Sequence, residues 1–105
     1  MKIAVTTNGT DLNSQLVPNF GRGMYFVIIN TNTQKLEIHE NENSNLGNIA
    51  AVKSAQFLKA IGADIVIADK CEPKAIKLFQ HEGIEIHNGI KGSLENVLNK
   101  YRVTS

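Results

Sequence analysis

The 105-residue sequence predicts an α/β fold: a mixed five-stranded sheet in the order β-β-β-α-β-α-β-α, with helices on its faces. Three observations carry that expectation. The first forty residues hold three short apolar or alternating runs and no helical spacing. From residue 49 the apolar period becomes that of a helix. Beyond residue 62, strand-like and helix-like segments alternate, as parallel strands joined by crossovers do.

The elements follow in order. "KIAVTT" (Lys2–Thr7) is a β-branched run and reads as a buried strand. The polar segment 8–19 is far longer than a tight turn needs; loops of that length in a compact domain are usually functional or disordered. "MYFVIIN" (24–30) is a second, almost continuously apolar strand. "TNTQ" (31–34) is a turn, and "KLEIHE" (Lys35–Glu40) alternates with period two, so these runs predict a hairpin whose second strand has one wet face. "NENSNLGN" (41–48) is a loop. Val52, Ala55, Leu58 and Ile61 then recur at helical spacing, ended by Gly62. "DIVIAD" (64–69) reads as a buried strand. Pro73 opens a helix carrying Ala75, Ile76 and Phe79, and Gly83 closes it. "IEIH" (84–87) is a short strand. Ser93 caps a last helix whose Leu94, Val97, Leu98 and Tyr101 form an apolar stripe. No repeat, linker or low-complexity tract interrupts the chain, so residues 1–105 are read as one domain.

Composition excludes several functions. With 11 basic and 10 acidic residues, the formal net charge of +1 gives no field to hold a phosphate backbone, which argues against nucleic acid. No apolar run approaches the roughly 20 residues that cross a bilayer, and the opening "MKIAVTT" is too short for a signal peptide. Cys71 is the sole cysteine, so an internal disulfide and an all-cysteine metal site are excluded, and a reducing cytoplasm is expected.

Ligands of open α/β sheets bind beyond the carboxyl ends of the parallel strands. That edge should collect the 8–23 loop, the 69–73 turn and the 88–93 turn. Cys71 lies just before a helix start, where the dipole favours a thiolate; the alternative is a small, half-buried turn residue. His39, His81 and His87 match no metal-binding spacing. His39 and His87 alternate with apolar residues and are expected on solvent faces, and His81 sits in a last helical turn. "GIKGS" (89–93) resembles an anion cradle with outward backbone N–H groups, or serves simply as a turn with a cap. It lacks P-loop spacing, and "FGRG" lacks the dinucleotide pattern. The hairpin-led mixed sheet also resembles the ribonuclease H fold, but two-metal nuclease chemistry needs several carboxylates and the opening strand "KIAVTTN" has none.

"PNFGRGMYFVII" is similar to the "xxHFGRAxYFxIxD" signature of the dinitrogenase iron–molybdenum cofactor biosynthesis family, which includes NifX, NafY, the C-terminal region of NifB and the orange protein. "GADIVIADKCEPKAIKLFQHEGIEIHNG" and "GSLENVLNKY" extend the resemblance along nearly the whole chain. It implies a ribonuclease H-like α/β fold, in agreement with the element order, and a non-enzymatic role in carrying metal–sulfur clusters.

On that resemblance the binding residues are Asn19, Phe20, Gly21, Arg22, Gly23 and Gly89, and Cys71 is the candidate metal ligand. Arg22 offers its guanidinium to an anionic cluster, or braces the loop through backbone carbonyls; Gly21 and Gly23 let backbone approach closely. A thiolate at Cys71 suits iron, copper and molybdenum–sulfur species. Asn19 stands where the family often has His, "NSNLGN" replaces a His/Gly-rich loop, and Glu72-Pro73 replaces Gly-Pro. The expected function is a small carrier of iron–molybdenum cofactor, a precursor or another anionic metal–sulfur cluster. The alternative is a metal-free interaction or regulatory module that binds a protein or a small anion. The expected partners are proteins that donate or accept the cluster, with no nucleic acid and no membrane, and the chain is expected to be a monomer or weak homodimer.

Overall fold

Lys2–Thr7 (β1), Tyr25–Asn30 (β2) and Lys35–Glu40 (β3) lead into Asn48–Ala60 (α1), Ile65–Ile67 (β4), Pro73–His81 (α2), Glu85–His87 (β5) and Leu94–Tyr101 (α3). A computed structural model of the protein describes residues 1–17, 23–41, 48–70 and 73–101. The five strands form one sheet in the order β3-β2-β1-β4-β5. β1 pairs antiparallel with β2 and parallel with β4, and β2–β3 and β4–β5 continue the antiparallel and parallel sides. The expected mixed sheet is therefore present with its helices on both faces.

The two faces have separate cores. On one, α1 and α2 set Ala55, Leu58, Ala75 and Phe79 against Ala4, Phe26, Ile28 and Val66. On the other, α3 alone sets Leu94, Val97 and Leu98 against Ile3, Val5, Val27, Ile29 and Ile67. Covered on both sides, β1 and β2 read as near-continuous apolar runs. The hairpin turn is fixed locally: Asn30 Oδ1 accepts the N–H groups of Asn32 and Thr33 (3.0 and 3.3 Å), and Gln34 takes the left-handed conformation at φ 60°. Gly62 and Gly83 end α1 and α2 at φ 80° and 77°, as their positions predicted.

Three sequence expectations shift. The buried stripe of α1 runs through Ser54 and Leu58, not Val52, which is 37% exposed. At 3.6 residues per turn Val52 lies about 120° round the helix from Leu58, and Ser54 about 40°. Secondly, the apolar residues of β3 are not the covered ones: Leu36 and Ile38 are 39% and 43% exposed. They share the face of α3, and that single helix packs over the central strands without reaching the sheet edge. Thirdly, His39 and His87 are half-buried, with 36% and 33% of their side-chain surface still exposed. The His39 ring packs edge-on against Phe57 at 5.4 Å, and His87 Nε2 lies 2.7 Å from Glu85 Oε2.

Candidate functional site

The carboxyl ends of β1, β3, β4 and β5 and the amino end of β2 all fall at one edge of the sheet, since Thr7 pairs with Tyr25, Tyr25 with Glu40, and Ile67 with His87. The described residues that flank 18–22, 42–47 and 71–72 leave from this same edge. Three loops are fastened together here. Leu16 N–H donates to Gly92 O (2.9 Å) and Val17 N–H to Thr6 O (3.0 Å), so the long loop returns alongside β1. Gly89 N–H donates to Asp69 O (2.9 Å), joining the turns after β4 and β5. Isolated bridges pair Thr7 with Leu16 and Gln15 with Ser93.

Two donors of the "GIKGS" segment, and two just beyond it, are turned to the chain itself. Gly89 and Ile90 donate to Asp69 O and Ala68 O, and Leu94 and Glu95 donate to Ser14 O and Leu12 O at 2.8 and 3.0 Å. Asn96 N–H is taken by Ser93 Oγ at 3.2 Å, the N-cap that the sequence predicted. The first turn of α3 thus spends its free donors on the long loop and its own cap.

An anion can instead be met by side chains. A cleft of about 260 Å³ opens between the turn after β5 and α3, lined by Gly89, Ile90, Lys91, Asn96, Val97 and Lys100. Lys91 and Lys100 are exposed cations and Asn96 carries an amide, a donor set suited to an anionic group. Gly89 lines this cleft in a left-handed conformation at φ 77°, with open space where a Cβ would stand.

The remaining candidates divide cleanly. Asn19, Phe20, Gly21, Arg22 and Cys71 lie outside the described residues. Gly23 is buried, and a Cβ there would stand 2.8 Å from Thr6 Cβ and 3.1 Å from Thr7 O. The close approach it permits among the described residues is to β1 of its own chain. Residues 23 and 24 are held by three hydrogen bonds from two residues: Asn41 Nδ2 donates to Gly23 O (2.8 Å), Asn41 N–H to Met24 O (2.8 Å), and Met24 N–H to Asn8 Oδ1 (3.2 Å). The exit of the signature segment is therefore rigidly anchored. Among the described residues, no three His, Cys, Asp or Glu side chains gather where they could hold a metal ion.

Lys91, Asn96 and Lys100 escaped the sequence reading. Asn96 and Lys100 are four apart on α3 and so share a face. That spacing is visible in the sequence, but an exposed amide and lysine on a helix carry no mark of a binding cleft until the turn after β5 is placed beside them. Asn8 and Asn41 escaped for another reason: their partners are 16 and 18 residues away.

A five-stranded mixed sheet with this order, three helices and loops gathered at one edge defines a class of small α/β proteins. The chain belongs to the dinitrogenase iron–molybdenum cofactor family, whose model matches residues 1–103. It is 29% identical over 101 residues to an uncharacterised protein of Methanocaldococcus jannaschii, a match covering 93% of this chain and 82% of that one. Its fold is similar to the apo form of the orange protein from Desulfovibrio gigas, with a TM-score of 0.87 and 27% identity over 95% of this chain and 85% of that one. It is also similar to a NifB-related protein from Thermotoga, at a TM-score of 0.80 and 23% identity over 95% and 85% of the two chains. Among the described residues no helix is long and apolar enough to cross a membrane.

Proposed function

We propose that the protein is a small, non-catalytic carrier of an anionic metal–sulfur cluster, iron–molybdenum cofactor or one of its precursors, seated at the loop-bearing edge of the sheet. The observation that carries this reading is the lysine-lined cleft beside Gly89, at the edge where the family signature also leaves the sheet. Lys91, Lys100 and Asn96 attract and orient the anion, and Arg22 adds a planar guanidinium. Cys71 contributes a soft thiolate, and it is the one cysteine in the chain. A single thiolate holds cargo loosely, which suits a protein that must hand it to an acceptor.

A second reading, a metal-free module binding a protein or small anion, draws support from one observation: Gly89, Ile90, Leu94 and Glu95 already donate their backbone N–H groups to the chain's own carbonyls. Anaerobic incubation with iron–molybdenum cofactor, and separately with a thiomolybdate–copper mixture, separates the two. Gel filtration with visible spectra and metal analysis is run on the parent chain, Cys71→Ala, Arg22→Ala and Lys91→Glu. The carrier reading expects a coloured, stoichiometric complex weakened by each substitution. A protein peak free of metal in both incubations overturns it in favour of the module.

A further inference from the structure

β3 is the six-residue outer strand of the antiparallel side of the sheet, and the hydrogen-bond phase of the hairpin fixes which of its groups face outward. Asn41 N–H donates to Met24 O, so Met24–Asn41 is a bonded position, and the phase then alternates along the ladder. His39 and Glu37 spend their backbone groups on β2. Leu36, Ile38 and Glu40 point theirs away from the sheet. The same strand leaves Leu36 and Ile38 39% and 43% exposed, on the side that α3 does not reach. A long outer strand with apolar side chains is an edge that proteins ordinarily shorten, bulge or cover.

We propose that β3 is a self-association edge: two copies pair antiparallel about a two-fold axis at Ile38, doubling the five-stranded sheet. The charge pattern of "KLEIHE" selects the second copy as occupant and selects the register. A two-fold axis normal to the sheet keeps each face on its own side, so opposed residues must both be even or both odd. Centring on Ile38 sets Leu36 and Glu40 opposite each other as bonded pairs and stacks Ile38 on its partner's copy. It also sets Glu37 opposite the partner's His39, twice. Those are the non-bonded positions, where opposed Cα atoms are only about 4.5 Å apart and side-chain pairing is strongest.

The neighbouring registers are worse. Centring on Glu37 brings two like carboxylates face to face, and centring on His39 opposes two imidazoles. Centring on Leu36 runs the ladder into the turn at Gln34, whose φ of 60° is not that of a strand. In the isolated chain His39 Nε2 is buried without a hydrogen-bond partner among the described residues, and the Glu37 carboxylate stands 3.6 Å away. The pairing brings a second carboxylate beside that ring. It also makes one apolar strip of Leu36 and Ile38 from both copies. Two short strands bury less than the roughly 1,200 Å² of a stable interface, so the dimer is weak and concentration-dependent.

Sedimentation equilibrium from about 10 μM to about 1 mM, with amide chemical shifts followed over the same range, tests this. The parent chain is expected to pass from monomer to dimer, with shifts concentrated at Leu36, Ile38 and Glu40. Ile38→Lys, at an exposed position, opposes two ammonium groups and is expected to raise the dissociation constant at least about 100-fold. Glu37→Lys is expected to weaken pairing about tenfold, and Glu37→Lys with His39→Glu to restore it by setting each lysine opposite a carboxylate. Thermal melts of each variant establish that it is folded, and Ile38→Lys alone decides the matter if a His39 variant is not. A parent chain still monomeric at the highest concentration overturns the proposal. So does a dimer indifferent to Ile38→Lys, or a folded double variant that stays as weak as Glu37→Lys.

Discussion

Asn41 offers the sharpest test of how the signature segment is anchored. It is 6% exposed, and its Nδ2 donates to Gly23 O at 2.8 Å in a buried setting. Asn41→Ala removes the donor and leaves that carbonyl in a site with little water. Stranding a buried acceptor costs about 1–3 kcal/mol, which lowers Tm by roughly 4–8 °C per kcal/mol in a chain of this size. Asn41→Asp keeps the shape but replaces the N–H group with a carboxylate oxygen facing a carbonyl oxygen. It should be worse than alanine by at least about 1 kcal/mol, because a charge is now buried against a dipole of the wrong sense. The pH dependence has a definite sign. Burial and the facing carbonyl raise the introduced carboxyl above its unfolded value, so the extra penalty is present above that raised value. It fades as pH falls through it and the protonated group can donate again. Urea titrations of the three proteins at neutral pH and near pH 4 measure both effects. An alanine variant within about 0.5 kcal/mol of the parent, with aspartate no worse at either pH, would refute the reasoning.

Other expectations follow from single features. Gly89→Ala should cost about 1–2 kcal/mol by urea titration from its φ of 77° alone, since no neighbour stands within 4 Å of the added methyl. Ser93→Ala should cost only about 0.5–1 kcal/mol in thermal denaturation, at the low end for a cap, because Ser14 and Leu12 carbonyls still hold the first turn. Ser54→Ala should be neutral or stabilising by up to about 1 kcal/mol, as the Ser54 hydroxyl is buried without a partner among the described residues. Phe79→Ala, at a fully buried position between α2 and the sheet, should cost about 3–5 kcal/mol.

The parts of the fold that were legible in the sequence were those written locally. The switch from period two to helical spacing near residue 49, Pro73 at a first turn and glycines at helix ends each act over a few residues. Each marks a boundary within a residue or two of its structural position. What was not legible depends on coverage. "KLEIHE" announces that one face differs from the other, but only the reach of α3 decides that Leu36 and Ile38 stay exposed. Likewise Val52 has the right spacing and the wrong angle. At the candidate site, the loop-bearing edge was predictable from strand order, because a parallel strand must end where its crossover begins. The satisfaction of the α3 donors by Leu12 and Ser14 was not, since no local pattern links segments eighty residues apart.

That last arrangement has a dynamic consequence. In most helices the first turn frays alone, its donors exchanging with solvent while the rest holds. Here Leu94 and Glu95 can lose their acceptors only if residues 12–14 lift away, and Gly92 lets go of Leu16 in the same movement. Loop and helix start therefore open as one cooperative unit, with one shared opening free energy for the amides of Leu16, Leu94 and Glu95. A ligand that tightened or loosened this edge would change the exchange of all three together, so α3 records at a distance what happens where the loops meet.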